Sequence, residues 1–134
     1  MTIEQINAFC KDTFIGHLEI EFTEFGENYV KAIMPVNKKK HQPTGILHGG
    51  ASLALAETVA GAGSVLLIDE DKYDVLGLQV TGNHVGTVSD GNILASAEIV
   101  HKGQSTHVWD VKITDDEDKL ISVIRVTNII REKN

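Results

Sequence analysis

The stretch from His48 to Ile68, HGGASLALAETVAGAGSVLLI, holds a single charged side chain, Glu57, among small and aliphatic residues. As a helix it would run ~31 Å, nearly the depth of a bilayer core. Several features argue against a membrane span. Glu57 stands in mid-segment, Ser52, Thr58 and Ser64 interrupt the apolar run, glycines recur at 45, 49, 50, 61 and 63, and no aromatic belt flanks it. The segment therefore predicts a fully buried helix of a soluble protein, because a helix apolar all round must be enclosed. An unpaired charge in such surroundings is costly or driven neutral, so a retained carboxylate usually has a use. Glu57 is read as the reactive carboxylate of an enzyme.

The rest of the chain supplies an enclosure. Ile3, Ile6, Phe9 and Cys10 fall at helical spacing and predict a short amphipathic helix over residues 2–14. From Leu18 the period is two: LEIEFTEF and NYVKAIMPV form a hairpin around Gly26-Glu27-Asn28, and NKKKHQPTGI then breaks all periodicity. After the long helix come the acidic turn DEDKYD and the strand VLGLQVTGNHVGTV. The strands ILASAEIVHKG, THVWDVKITDD and KLISVIRVTNII follow, separated by turn signals at Ser89-Asp90-Gly91-Asn92, Gly103-Gln104 and Asp116-Glu117-Asp118. Strands in groups, without intervening helices, predict an antiparallel sheet that curls around the long helix in an α+β domain spanning 1–134. Its free edge and outer face predict a homodimer at least.

With 42% hydrophobic and 23% charged residues, a chain of 134 residues is expected to bury a real core. A net charge of −7 argues against a nucleic-acid partner. Cys10 is the sole cysteine, so no internal disulfide can form, and the N-terminal MTIEQINAFC has no secretion-signal pattern. A cytoplasmic protein with neither membrane nor nucleic-acid partner is expected. No histidine has a ligand-spaced partner, and His101 and His107 are six residues apart across a turn, so no metal is expected.

Gln42, His48 and Glu57 cluster in HQPTGILHGGASLALAE. On one helix, His48 and Glu57 are ~13 Å apart along the axis and on roughly opposite faces at ~100° per residue. A site containing both must therefore join two subunits, His48 from one and Glu57 from the other, twice per dimer. His48-Gly49-Gly50 opens the helix, where backbone N–H groups lack internal partners and favour anions. The Gly49 N–H is thus a natural oxyanion donor, with the Gln42 amide as a second.

The string GILHGGASLALAET, with Gln42 upstream and NHVG and HKGQSTHVW downstream, resembles the hotdog-fold acyl-CoA thioesterases of the phenylacetate-degradation, 4-hydroxybenzoyl-CoA and 1,4-dihydroxy-2-naphthoyl-CoA type. The likeness in element order covers nearly the whole chain. It implies a long helix wrapped by a curved antiparallel sheet, paired into a homodimer or a dimer of dimers. It also implies hydrolysis of an acyl-CoA substrate, with no cofactor beyond the coenzyme A of the substrate itself. Glu57 would attack the thioester carbonyl or activate water, Gly49 and Gln42 would polarise that carbonyl, and His48 would orient it.

Relatives commonly carry Ser or Thr one turn after this glutamate, where Gly61 stands here. The resemblance assigns the coenzyme path to Gly77, to His84, Val85, Gly86 and Thr87 on one strand, and to His101, Lys102, Gly103, Gln104, Ser105 and Thr106 around a turn. Where relatives have arginine, Gly86 and Gln104 stand here, leaving Lys102 to compensate. Lys38-Lys39-Lys40, just before Gln42, is a further candidate for phosphate contact. Two other activities fit the pattern less well. A hotdog hydratase or dehydratase uses a different motif around its histidine, and a non-catalytic acyl-CoA-binding sensor would need an effector segment, for which the first 15 residues leave no room.

Overall fold

The computed structural model describes residues 1–134. Two short helices, α1 (Ile3–Cys10) and α2 (Phe14–His17), precede strands β1 (Glu21–Phe25) and β2 (Tyr29–Pro35). A 3-10 turn (Lys38–Lys40) leads to helix α3 (Gly49–Leu67). Strands β3 (Tyr73–His84), β4 (Asn92–Lys102), β5 (Thr106–Asp115) and β6 (Leu120–Glu132) complete the chain. All six strands form one antiparallel sheet in the order β1-β2-β4-β5-β6-β3, open at both edges and wrapped over α3. This is the hotdog arrangement that the resemblance implies.

The alternating apolar positions give the sheet its inner face. Val30, Ala32 and Met34 of β2, Ile93, Ala95 and Ala97 of β4, Trp109, Val111 and Ile113 of β5, and Ile124 and Val126 of β6 are all buried. Against them α3 buries Ser52, Leu55, Ala56, Val59, Ala60, Gly63 and Ser64. A Cβ at Gly63 would lie 2.5 Å from the Trp109 ring, so the missing side chain is what lets the indole rest on the helix.

Three expectations need correction. First, α3 is not buried all round. The open sheet covers only the Leu55 side, and on the opposite flank Glu57 is exposed and Gly61 half-buried. Second, the expected helix over 2–14 is two helices. The Thr13 hydroxyl donates to the Cys10 carbonyl at 2.6 Å, and its oxygen accepts from the Ile15 N–H, which ends one helix and caps the next. Phe9, on the apolar stripe of the expected helix, is 84% exposed. Third, the strand expected to reach Val88 ends at His84. The Val85 and Gly86 N–H groups both donate to the Ile121 carbonyl, so the chain turns off the ladder there.

Candidate active site

His48 is the N-cap of α3. Its Nδ1 accepts from the Gly50 N–H at 2.8 Å, which puts the proton of the neutral ring on Nε2 and leaves that nitrogen as the free donor. As the first residue of the helix, Gly49 has an N–H without an intrahelical partner. A Cβ on Gly49 would approach His84 Nε2 to 2.6 Å, so the imidazole packs directly on this helix start. His84 Nδ1 is held 2.7 Å from the Ser122 hydroxyl, its direct cross-strand partner. Gln42, whose amide donates to Thr44 Oγ1, joins Gly49, His84, Val85, Gly86 and Thr87 around one open cavity of about 230 Å³.

Glu57 lies elsewhere. It borders a separate, mainly apolar cavity of about 510 Å³ with Gly61 and Ala62, beside Gly77. The ladder register shifts between Gly77 and Gln79, so β3 bulges where it passes the carboxylate. The sheet register separates the two clusters. His84 pairs with Ser122, which pairs with Ile113, whereas Gly77 pairs with Asn128, which pairs with His107 and so with Lys102. The turn from His101 to Thr106 therefore stands at the Gly77 end of the sheet, and the segment from His84 to Thr87 at the other. One protomer brings together Gln42, His48, Gly49 and the segment from His84 to Thr87. It separates them from Glu57, Gly61, Gly77 and the segment from His101 to Thr106.

The lysine run is mostly committed within the fold. Lys40 is 3% exposed and donates to the Pro35 carbonyl and to Glu19, and Lys39 also pairs with Glu19. The hydrogen bond from Asn37, with those from the two lysines, holds the Glu19 carboxyl down at about 2. Burial pulls Lys40 below its ordinary value even though Glu19 opposes the shift. Of the three lysines, Lys38 alone has no ion pair in the structure.

Sequence reasoning missed Ser52 and Ser122, both buried and both lining the Gln42–Gly49 cavity. Nothing in their local pattern marks them, since each reads as a small residue on an apolar face. For Ser122, only the β3–β6 register reveals the link to His84.

The thioesterase superfamily model matches residues 44–122. The 1,4-dihydroxy-2-naphthoyl-CoA hydrolase of Escherichia coli is 35% identical over 130 residues, covering 97% of this chain and 95% of the hydrolase. The proofreading thioesterase EntH of Cronobacter turicensis is also 35% identical, over 97% of this chain and 94% of its own. Among solved structures, a thioesterase of Pseudomonas aeruginosa, crystallised as a glutamine-to-alanine mutant, superposes with a TM-score of 0.96 at 36% identity, covering 99% of this chain and 96% of that one.

Proposed function

The chain belongs to the thioesterase superfamily, and from that premise we propose that it hydrolyses an acyl-CoA thioester with an aromatic or medium-chain acyl group to the free acid and coenzyme A. The observation that carries this reading is the division of the site. Glu57 and the Gln42–Gly49 donor pair face different open cavities of one protomer. A two-fold partner supplies each end with what it lacks.

Edge strand β3 offers a route to that partner. It is long and unpaired on one side, with Leu76, Leu78 and Val85 exposed along it and just beyond it. In the resulting homodimer, or a dimer of dimers, the Gly49 N–H and Gln42 amide polarise the carbonyl and the His48 Nε2–H orients it. The partner's carboxylate attacks from the other side.

Direct attack by Glu57 is favoured over activation of water. Gly61 supplies no hydroxyl, and the nearby Thr58 hydroxyl already donates to the Ala54 carbonyl at 2.7 Å, so α3 has no free hydroxyl donor beside the carboxylate to hold a water. Attack forms a tetrahedral oxyanion. Collapse expels the coenzyme A thiolate and leaves an acyl anhydride on Glu57, which water cleaves to the free acid and the restored carboxylate. With Cys10 alone, no internal disulfide can form, which suits the reducing cytoplasm as its location.

Free-thiol release from a panel of arylacyl- and alkanoyl-CoA thioesters tests the reading. Turnover of at least one of them is expected, and Glu57→Ala should lower kcat by ~10³ or more. Tight binding without cleavage of any thioester in the panel would overturn it in favour of a binding module, and hydration of an enoyl thioester without thiol release would point to a hydratase. Rapid quench of a single turnover should find the acyl group on the Glu57 peptide by mass spectrometry; thiol and acid appearing together, with no acylated peptide at any time, would assign attack to water.

A further inference from the structure

The cavity beside Glu57 is walled on its outer side by α1. Ile6, Phe9 and Cys10 face Gly61, Ala62 and Val65 of α3 across a space of about 510 Å³, with Phe22 of β1 also on the wall. Val65 lies two turns beyond Glu57, so the space extends ~12 Å along the helix from the carboxylate. Nothing lies within 4 Å of where a Cβ of Gly61 would be, so the cavity is open next to the reacting group.

The wall is fixed in place. Asn7 of α1 acts as a surrogate strand partner for β1: its Nδ2 donates to the Phe22 carbonyl at 3.0 Å, and its Oδ1 accepts from the Phe22 N–H at 2.8 Å. Thr2 and Gln5 close a reciprocal capping box at the start of the same helix. Apart from Glu57, the wall has almost no free hydrogen-bonding group. The Thr58 hydroxyl is engaged by Ala54, Glu70 lies at the far end beyond α3, and burial pushes the Cys10 thiol up, so it stays uncharged.

We propose that α1, pinned to β1 by Asn7, is the outer wall of an acyl pocket that accepts an unsubstituted hydrocarbon group, its length set by the stretch from Glu57 to Val65 and Leu66 and its width by Phe9 and Cys10. The assignment rests on the thioesterase reading above and adds the substrate class to it. Beyond Glu57, the walls formed by Ile6, Phe9, Ala62 and Val65 offer a ring hydroxyl no partner, so a hydroxylated acyl group gives up its water there without replacement. An apolar pocket rejects an added hydroxyl by only about 10- to 100-fold, which sets the size of the preference.

The test measures kcat/KM over hexanoyl-, octanoyl-, decanoyl-, benzoyl- and dihydroxybenzoyl-CoA for the whole chain, with Val65→Trp and Phe9→Asp as variants on opposite walls. Benzoyl-CoA should exceed dihydroxybenzoyl-CoA by about 10- to 100-fold. In each variant the decanoyl-to-hexanoyl ratio should fall by about tenfold or more. Because the ratio is taken within one preparation, loss of folded protein cancels from it. If the enzyme cleaves thioesters but both variants scale all substrates equally, or the hydroxylated substrate is preferred, the pocket assignment fails while the thioesterase reading stands. If no thioester is cleaved, both fail together.

Discussion

Ser64 shows how a single hydroxyl can organise a core. Its oxygen accepts from Trp109 Nε1 at 2.9 Å and Asn128 Nδ2 at 3.0 Å, and lies 2.9 Å from His107 Nδ1. Two donors fill its lone pairs, so its own proton goes to Nδ1, and His107 is held as the neutral ring. Ser64→Ala leaves the indole N–H without its partner and should destabilise the protein by about 1–3 kcal/mol in urea denaturation. The same geometry gives a pH dependence. Burial, with Lys102 and His101 nearby, pulls His107 below its ordinary 6.5. The unfolded chain then binds the proton more readily, so stability is complete above 6.5 and declines as pH falls below it. A second loss belongs to Glu19, held at about 2 against an ordinary 4.5, and sets in as pH falls below 4.5. Denaturation midpoints across this range should show both declines, and His107→Gln should flatten the upper one. An unchanged upper decline in that variant would assign it to other groups.

At the scale of elements, α3 divides its labour between two faces and its N-terminus. Gly49 combines two requirements there, an open N–H and room for the His84 ring. Gly49→Ala keeps the N–H but sets a Cβ 2.6 Å from His84 Nε2, so the helix start or the ring must move, and displacement of the donor should lower kcat by up to ~10²–10³ in the thiol-release assay. An Asn7→Ala variant removes both bonds to Phe22 and should cost about 1–3 kcal/mol of stability, read from its thermal midpoint. Periodicity and motif spacing made much of this legible. The alternation of β2, β4, β5 and β6, the helical run after His48, and the candidate roles of Gln42, Gly49 and Glu57 can all be read from the chain. What escaped was set by tertiary geometry. The open sheet leaves Glu57 on a bare flank where an all-apolar pattern suggests enclosure, the doubled amides on the Ile121 carbonyl end β3 early, and Ser122 gains its meaning only through the register with His84. The lysine run suggests a phosphate contact, yet Lys40 is drawn inward by Pro35 and Glu19.

For the whole molecule, the separation of the two clusters is a claim about stoichiometry as much as about chemistry. Glu57→Ala disables one end of each protomer and Gln42→Ala the other, and the Gln42 side chain bonds only to Thr44, so its loss leaves the fold intact. Suppose that each site takes Glu57 from one subunit and Gln42 from the other. A hybrid of the two variants then has one site with both defects and one with neither. Random reassortment of equal amounts makes half of the dimers hybrid, so activity should return to on the order of a quarter of the wild-type value. If each site lay within one chain, every site in the hybrid would keep one defect and mixing would restore nothing. Unfolding and refolding the two variants together, with each refolded alone as reference, separates the outcomes by thiol release, because either parent alone stays far below a quarter of wild-type activity.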